Sequence, residues 1–175
     1  MALRPIVKWG DPVLHSPSRP VGEIDGAVKA LLDDMVETMY AAPGIGLAAP
    51  QIGVSLRVIV IDLSVGEKQG QLIKLINPEI VEKEGEQREE EGCLSIPGVA
   101  GTPVRPARVT VTGLDPEGHA RSYTGTELLA RAFCHEIDHI DGLLFVDRLT
   151  PLKRDLLKRK LRKKAKADDW EEEEE

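Results

Sequence analysis

Aromatic residues make up only 3% of the 175-residue chain. Its core must therefore be built from Ile, Val, Leu and Ala, and it offers little surface for stacking nucleic-acid bases. Cysteine is equally scarce. Cys93 and Cys134 could form one disulfide, but a chain of this length does not need one, and no secretory signal precedes it. No stretch reaches the roughly 18 apolar residues of a membrane span. These absences predict a cytoplasmic protein with reduced thiols and no membrane association. A reduced thiol is also free to bind metal. Bases are fewer than acids, 23 against 30, and the net charge of −7 excludes a nucleic-acid footprint over the whole surface.

The charge is unevenly placed. Residues 153–166 hold nine Lys or Arg and one acid, Asp155, whereas residues 168–175 hold seven acids and no base. The expected organisation is one domain over 1–167 and a disordered acidic tail over 168–175.

Residues 1–24 are proline-rich and read as irregular. Val28, Leu31, Leu32, Met35 and Met39 recur at helical spacing over 25–41, with Asp25 as N-cap. Segment 44–51, GIGLAAPQ, is rich in Gly and Pro and reads as a tight loop. Strands are expected at 57–63, at 72–81 (broken by Pro78) and at 108–114. The last continues through an Asp115–Gly118 turn into a hairpin partner near 119–123. Residues 82–91 read as a charged, exposed segment. The spacing of Thr124 and Glu127 predicts a capping box opening a helix to about Asp141, with Gly142 as its stop. A last helix is expected over 151–167, with Leu152, Leu156, Leu157 and Leu161 as its apolar stripe. Short strands mixed with helices, without βαβ alternation, define an α+β class.

The chemistry concentrates in His135-Glu-Ile-Asp-His139. Two His at i and i+4 share a helical face and can reach one ion, with Glu136 beside them to accept a proton from water. Catalysis needs a third protein ligand and an open position. Phe145 stands where one peptidase class carries a third His, and the acids downstream lie on a basic helix. Cys134 adjoins His135 and should point about 100° away, as a small buried hydrophobe. Cys93, in Glu91-Gly-Cys-Leu-Ser95, would complete a Cys-His-His set, although taken alone it is as readily a buried structural Cys. His15 and His119 read as surface residues.

Three segments, GIGLAAPQ (44–51), EGCLS (91–95) and HEIDH (135–139), resemble in order the three signature motifs of the bacterial peptide deformylases. The similarity extends over about residues 5–150. The resemblance implies antiparallel sheets around the helix that carries HExDH, plus a C-terminal helix, and removal of the formyl group from formyl-methionyl nascent polypeptides. It implies Fe2+, with Zn2+, Ni2+ or Co2+ as substitutes, held by Cys93, His135 and His139. Glu136 would be the acid/base, and Gln51 and the Leu94 N–H would be donors to the oxyanion. Ile45, Gly46 and Gly92 would pair with the substrate backbone. Leu128, Arg131 and Ala132 would line the methionine pocket, where Arg131 is an unusual occupant. Arg105 would pair with Asp138. The basic helix suggests docking on ribosomal RNA. Two other readings stay open: a zinc endopeptidase, which Phe145 disfavours, and a non-enzymatic ribosome-associated metal-binding protein, which Glu136 and Gln51 disfavour.

Overall fold

The computed structural model describes residues 2–170. Three α-helices, α1 (Gly26–Ala41), α2 (Glu127–Ile140) and α3 (Pro151–Ala167), are joined by short strands. Five of these, β1 (Gly46–Ala48), β2 (Val58–Ile61), β3 (Ile73–Glu84), β8 (Arg108–Leu114) and β9 (Ala120–Thr126), form one antiparallel sheet in the order β1-β2-β3-β8-β9. Two small antiparallel pairs flank it. One joins β4 (Gln87–Arg88) to β7 (Val104–Arg105), and the other joins β5 (Glu91–Gly92) to β6 (Ala100–Gly101). The α+β class stands. Among the described residues, no helix is long and apolar enough to cross a membrane.

The sheet is covered on both faces, and β2 shows why. All four residues of its Val-Ile-Val-Ile run are fully buried. Val58 and Val60 point into a cluster with Leu32, Met35 and Met39 of α1. Ile59 and Ile61 point into a second cluster with Phe133, Ile137 and Ile140 of α2. Alternation along a strand sends successive side chains to opposite faces, so a strand apolar at every position must be covered twice. Each such burial contributes about 1.5–3 kcal/mol. A third cluster, with Leu14, Ile96 and Phe145 at its centre, seats α3 through Leu161.

Asp25 caps α1 as expected, accepting from the Val28 N–H at 3.0 Å. Gly142 follows α2 with φ +81°. Several expectations need correction. Segment 44–51 contains regular structure: β1 pairs with β2, and residues 49–52 form a 3-10 turn. Pro78 does not end its strand. Instead β3 runs on through a register shift between Ile76 and Glu79, where Asn77 takes φ +52°. Residues 82–91 are not uniformly exposed, because Glu91 is buried. The capping box does not form. Thr124 lies in β9 with its hydroxyl 3.0 Å from that of Thr110, and Thr126 occupies the N-cap position without a side-chain bond. In α3, Leu161 is buried and Leu157 packs beside it, but Leu152 and Leu156 are exposed at 71% and 57%. Position 156 is turned about 100° from 157 and cannot share its face. The expected disorder of 168–175 fails for Trp170, which packs on the third cluster, and residues 171–175 lie outside the described ones.

Candidate active site

Helix α2 is buried on nearly every side, so its polar residues sit inside the protein. Glu136, Asp138 and His139 are all buried. Their helical spacing sorts them. His135 and His139 share one face, and their Nε2 atoms lie 3.2 Å apart. Cys93, in the loop after β5, brings Sγ to 3.3 Å from His139 Nε2. One donor atom from each of Cys93, His135 and His139 thus falls within 4.8 Å of the others.

A thiol sulfur and two imidazole nitrogens, each able to present a lone pair to the same point, are suited to a cation. The next layer supports that fit. Glu91 Oε1 lies 2.9 Å from His135 Nδ1. An ionised carboxylate only accepts, so Nδ1 carries the proton and Nε2 is left free to bind an ion. A soft thiolate with two imidazoles suits a first-row transition metal and not Mg2+ or Ca2+.

Glu91 is itself held from behind. Arg105 donates to it through Nε at 2.9 Å and Nη2 at 3.0 Å. Burial would raise the Glu91 carboxyl, but hydrogen bonds from His135 and Arg105 overcome this and hold it at about 2. Arg105 also pairs with Asp138, as the resemblance implied, and Arg148 donates to Asp138 at 2.9 Å and 3.2 Å. Arg105 and Asp138 lie off the main cavity, lining a smaller cleft.

The main cavity encloses about 800 Å³. Ile45, Gly46, Gln51, Gly92, Cys93, Leu94, Leu128, Arg131, Ala132, His135 and Glu136 all reach its wall, whereas His139 is fully buried and does not. Burial drives the Glu136 carboxyl up to about 7, with His135 pulling it down and Glu91 pushing it up. Glu136 Oε1 has no hydrogen-bond partner. Gly46 stands so close that a Cβ there would lie 2.5 Å from Glu136 Oε2. Gln51 is fixed at both ends: its Oε1 accepts from the Ala48 N–H at 3.0 Å, and its Nε2 donates to Ser95 Oγ at 3.3 Å and to Cys93 Sγ at 3.6 Å. Arg131 is tied outward, Nη1 donating to Gln87 Oε1 at 2.8 Å, while Gln87 Nε2 donates to the carbonyls of Pro106 and Glu127.

Sequence reasoning missed Glu91, Gln87, Arg148 and Ser95. Glu91 and Ser95 are the outer residues of the EGCLS segment, and that position was the available signal. Cys134 is a buried thiol, pushed up to about 11 by burial, and His15 and His119 are exposed, all as expected.

An HExxH helix facing a half-buried thiol, with a carboxylate beside both, defines a mononuclear metallohydrolase type of site. The sequence matches the description "Polypeptide deformylase" over residues 3–155. It is 54% identical over 170 residues to the peptide deformylase of Acidobacterium capsulatum, covering 97% of this chain and all of that one. It is 59% identical over 149 residues to that of Acetivibrio thermocellus, covering 85% of each. Its fold is similar to a crystal structure of a peptide deformylase from Legionella pneumophila, with a TM-score of 0.87 and 48% identity over 97% of this chain and 99% of that one. A Synechococcus elongatus peptide deformylase in complex with actinonin gives 0.84 at 41% identity, over 91% and 90% of the two chains. The chain belongs to the polypeptide deformylase family.

Proposed function

We propose that the family's reaction, removal of the N-terminal formyl group from formyl-methionyl nascent chains, is carried out here by residues 1–167 as one catalytic domain. Cys93, His135 and His139 would hold the metal, Fe2+ by preference with Zn2+, Ni2+ or Co2+ accepted. When bound, the ion supplies Lewis acidity to water and to the formyl oxygen. Glu136 takes a proton from the attacking water and returns one to the departing amine. The Gln51 amide, held on Ser95, and the Leu94 N–H donate to the developing oxyanion. Ile45, Gly46 and Gly92 pair with the substrate backbone, as in strand addition. Leu128, Ala132 and the stem of Arg131 take the methionine side chain. Asp138, gripped by Arg105 and Arg148, fixes α2 against the β4–β7 pair.

The carrying observation is the convergence of the Cys93 thiol and two imidazole nitrogens on one point beside Glu136. The test is anaerobic purification, with metal analysis and hydrolysis of a formyl-Met peptide on the same sample. About one transition-metal ion per chain and turnover of the formyl peptide, with acetyl-Met peptide and casein left intact, is the expected result. Casein cleavage, or turnover that survives complete metal removal, would overturn the reading.

The nascent chain exists in the cytoplasm, which we propose as the site of action. The basic outer side of α3 supports docking on the ribosome through phosphate contacts. Salt-sensitive co-sedimentation with ribosomes tests this, and salt-independent binding or none counts against it.

A further inference from the structure

Leu128, Arg131, Ala132 and His135 fall at i, i+3, i+4 and i+7 of α2, and all four line the main cavity. Arg131 stands one turn before His135, about 6 Å along the helix axis. Its neighbours on this stripe are apolar: Leu128 is exposed at 39% and Ala132 is buried. A thioether side chain makes no use of a cation on such a wall.

The guanidinium is held in place. Its Nη1 donates to Gln87 Oε1 at 2.8 Å. Gln87 cannot turn over, because its Nε2 donates to the carbonyls of Pro106 at 2.9 Å and Glu127 at 3.0 Å, and a carbonyl only accepts. Its Oε1 must therefore face Arg131. One edge of the guanidinium is braced through Gln87 on main chain beside β7 and at the start of α2. Among the described residues Arg131 has no ion-pair partner, and Nη1 is its only side-chain nitrogen with a hydrogen bond. An arginine offers more N–H groups than that bond uses, so those on Nε and Nη2 remain unspent. Glu91, the buried acid on the same cavity, is committed to Arg105 and His135.

Oxidation of a methionine thioether adds an accepting oxygen and makes the sulfur chiral. A wholly apolar pocket would bury that oxygen without a donor, at a cost. A cationic donor on the wall instead gives it a charge-assisted hydrogen bond. We propose that Arg131 extends the substrates of this site to N-formyl peptides that begin with methionine sulfoxide, its unspent N–H groups donating to the sulfoxide oxygen. The inference rests on reading Leu128, Arg131 and Ala132 as the methionine pocket. The reaction at the formyl carbon is the same hydrolysis, and the sulfur is neither oxidised nor reduced. Because Gln87 fixes the direction of the donor, one configuration at sulfur fits better than the other.

The experiment measures kcat/KM for formyl tripeptides that differ only in the first residue: methionine, norleucine and the two separated epimers of methionine sulfoxide. In the parent chain the better epimer should stay within about tenfold of methionine and exceed the other epimer by about fivefold or more. Arg131→Leu alters the pocket for every substrate, so the quantity read is the ratio of the better epimer to norleucine. That ratio should fall about 10–100-fold, the loss of one charge-assisted bond. Arg131→Lys keeps a cationic donor without the planar fork, and should recover part of the ratio with a smaller epimer preference. Refusal of both epimers by the parent chain, equal rates for the two, or a ratio that survives Arg131→Leu overturns the proposal. Should Arg131→Leu fail to fold, the parent chain and Arg131→Lys decide by the same criteria. If methionine and norleucine peptides are themselves left intact, the deformylase reading fails and this inference with it. If they are hydrolysed and the sulfoxides are refused, this inference alone fails.

Discussion

The Nδ1–H of His135 donates to Glu91 Oε1 at 2.9 Å, and Arg105 grips the same carboxylate from the opposite side. Glu91→Gln breaks this arrangement. An amide presents N–H to one of two partners that themselves need an acceptor. With its oxygen at the Oε1 position the amide keeps the His135 and Arg105 Nη2 bonds but turns an N–H toward Arg105 Nε, and reversed it keeps only the Arg105 Nε bond; in both cases His135 loses the carboxylate charge that orients and polarises its ring. Metal affinity should fall about 10–100-fold, read by competition with a chromophoric chelator. Thermal stability of the metal-free protein should fall as well, because Arg105 is buried and loses part of its pairing. Unchanged metal affinity would show that His135 needs no orientation from Glu91.

Gly46 tests the substrate edge. Its Cβ position lies 2.5 Å from Glu136 Oε2 and 3.0 Å from Glu136 Cδ. Glu136 is buried on a packed helix, so relief must come from its side chain, which borders the cavity. Gly46→Ala should therefore displace the carboxylate while leaving the sheet in place, since the residue lies in an ordinary strand. A displacement on the order of 1 Å costs about 10²-fold in turnover. Steady-state kinetics with a formyl-Met peptide should show this mainly in kcat. A near-normal kcat would mean that Glu136 tolerates another position.

The parts of this site legible in the sequence were the parts set by local spacing. His135, Glu136 and His139 follow from one helical turn, and that periodicity holds inside any helix. Cys93 lies 42 residues before His135, beyond any local rule; the search for a third ligand made it a candidate, and only the resemblance decided between ligand and structural Cys. Glu91 was misread for a physical reason. It ends a run of charges, Glu82 to Glu91, that looks like a solvated face, and nothing local announces the buried Arg105 that neutralises it. The same limit explains α3. Leu152 and Leu156 mark one face of the helix and Leu157 and Leu161 another, about 140° round, and only the docking of Leu161 on the third cluster fixes which of the two is covered. In β1, Gly and Pro on either side of Leu47 hid a strand whose existence depends on its partner β2.

Gly142 tests the packing that holds α2. It has φ +81°, and a Cβ would lie 2.8 Å from the carbonyl carbon and 2.9 Å from the nitrogen of Ser16. Both are backbone atoms and cannot rotate away. Nearby, the Ser18 N–H donates to the Ile140 carbonyl at 2.8 Å, tying the same segment to the helix end. Gly142→Ala combines left-handed strain with a collision and should cost about 2–4 kcal/mol. For a chain of this size that lowers Tm by roughly 4–16 °C. A shift under about 2 °C in calorimetry would mean that the loop at residues 15–16 yields freely.

Tyr40 and Asp62 give a pH signature away from the metal site. The Tyr40 hydroxyl donates to Asp62 Oδ2 at 2.6 Å, and Ser64 and Gly66 donate to the same carboxylate. Burial raises the Asp62 carboxyl, but these bonds outweigh it and hold it below its ordinary value. Burial and the neighbouring carboxylate push Tyr40 up to about 12. Because the folded Asp62 is depressed, its contribution is present above the unfolded value near 4 and is lost as pH falls through the lower folded value. Because the folded Tyr40 is raised, its contribution is complete below about pH 10 and is lost as pH rises toward 12. Tyr40→Phe removes the shared bond. The Tm difference between the parent and Tyr40→Phe should be largest on the plateau from about pH 5 to 9 and should narrow at both extremes. A difference that stayed constant from acid to alkali would show that the hydroxyl contributes only through packing.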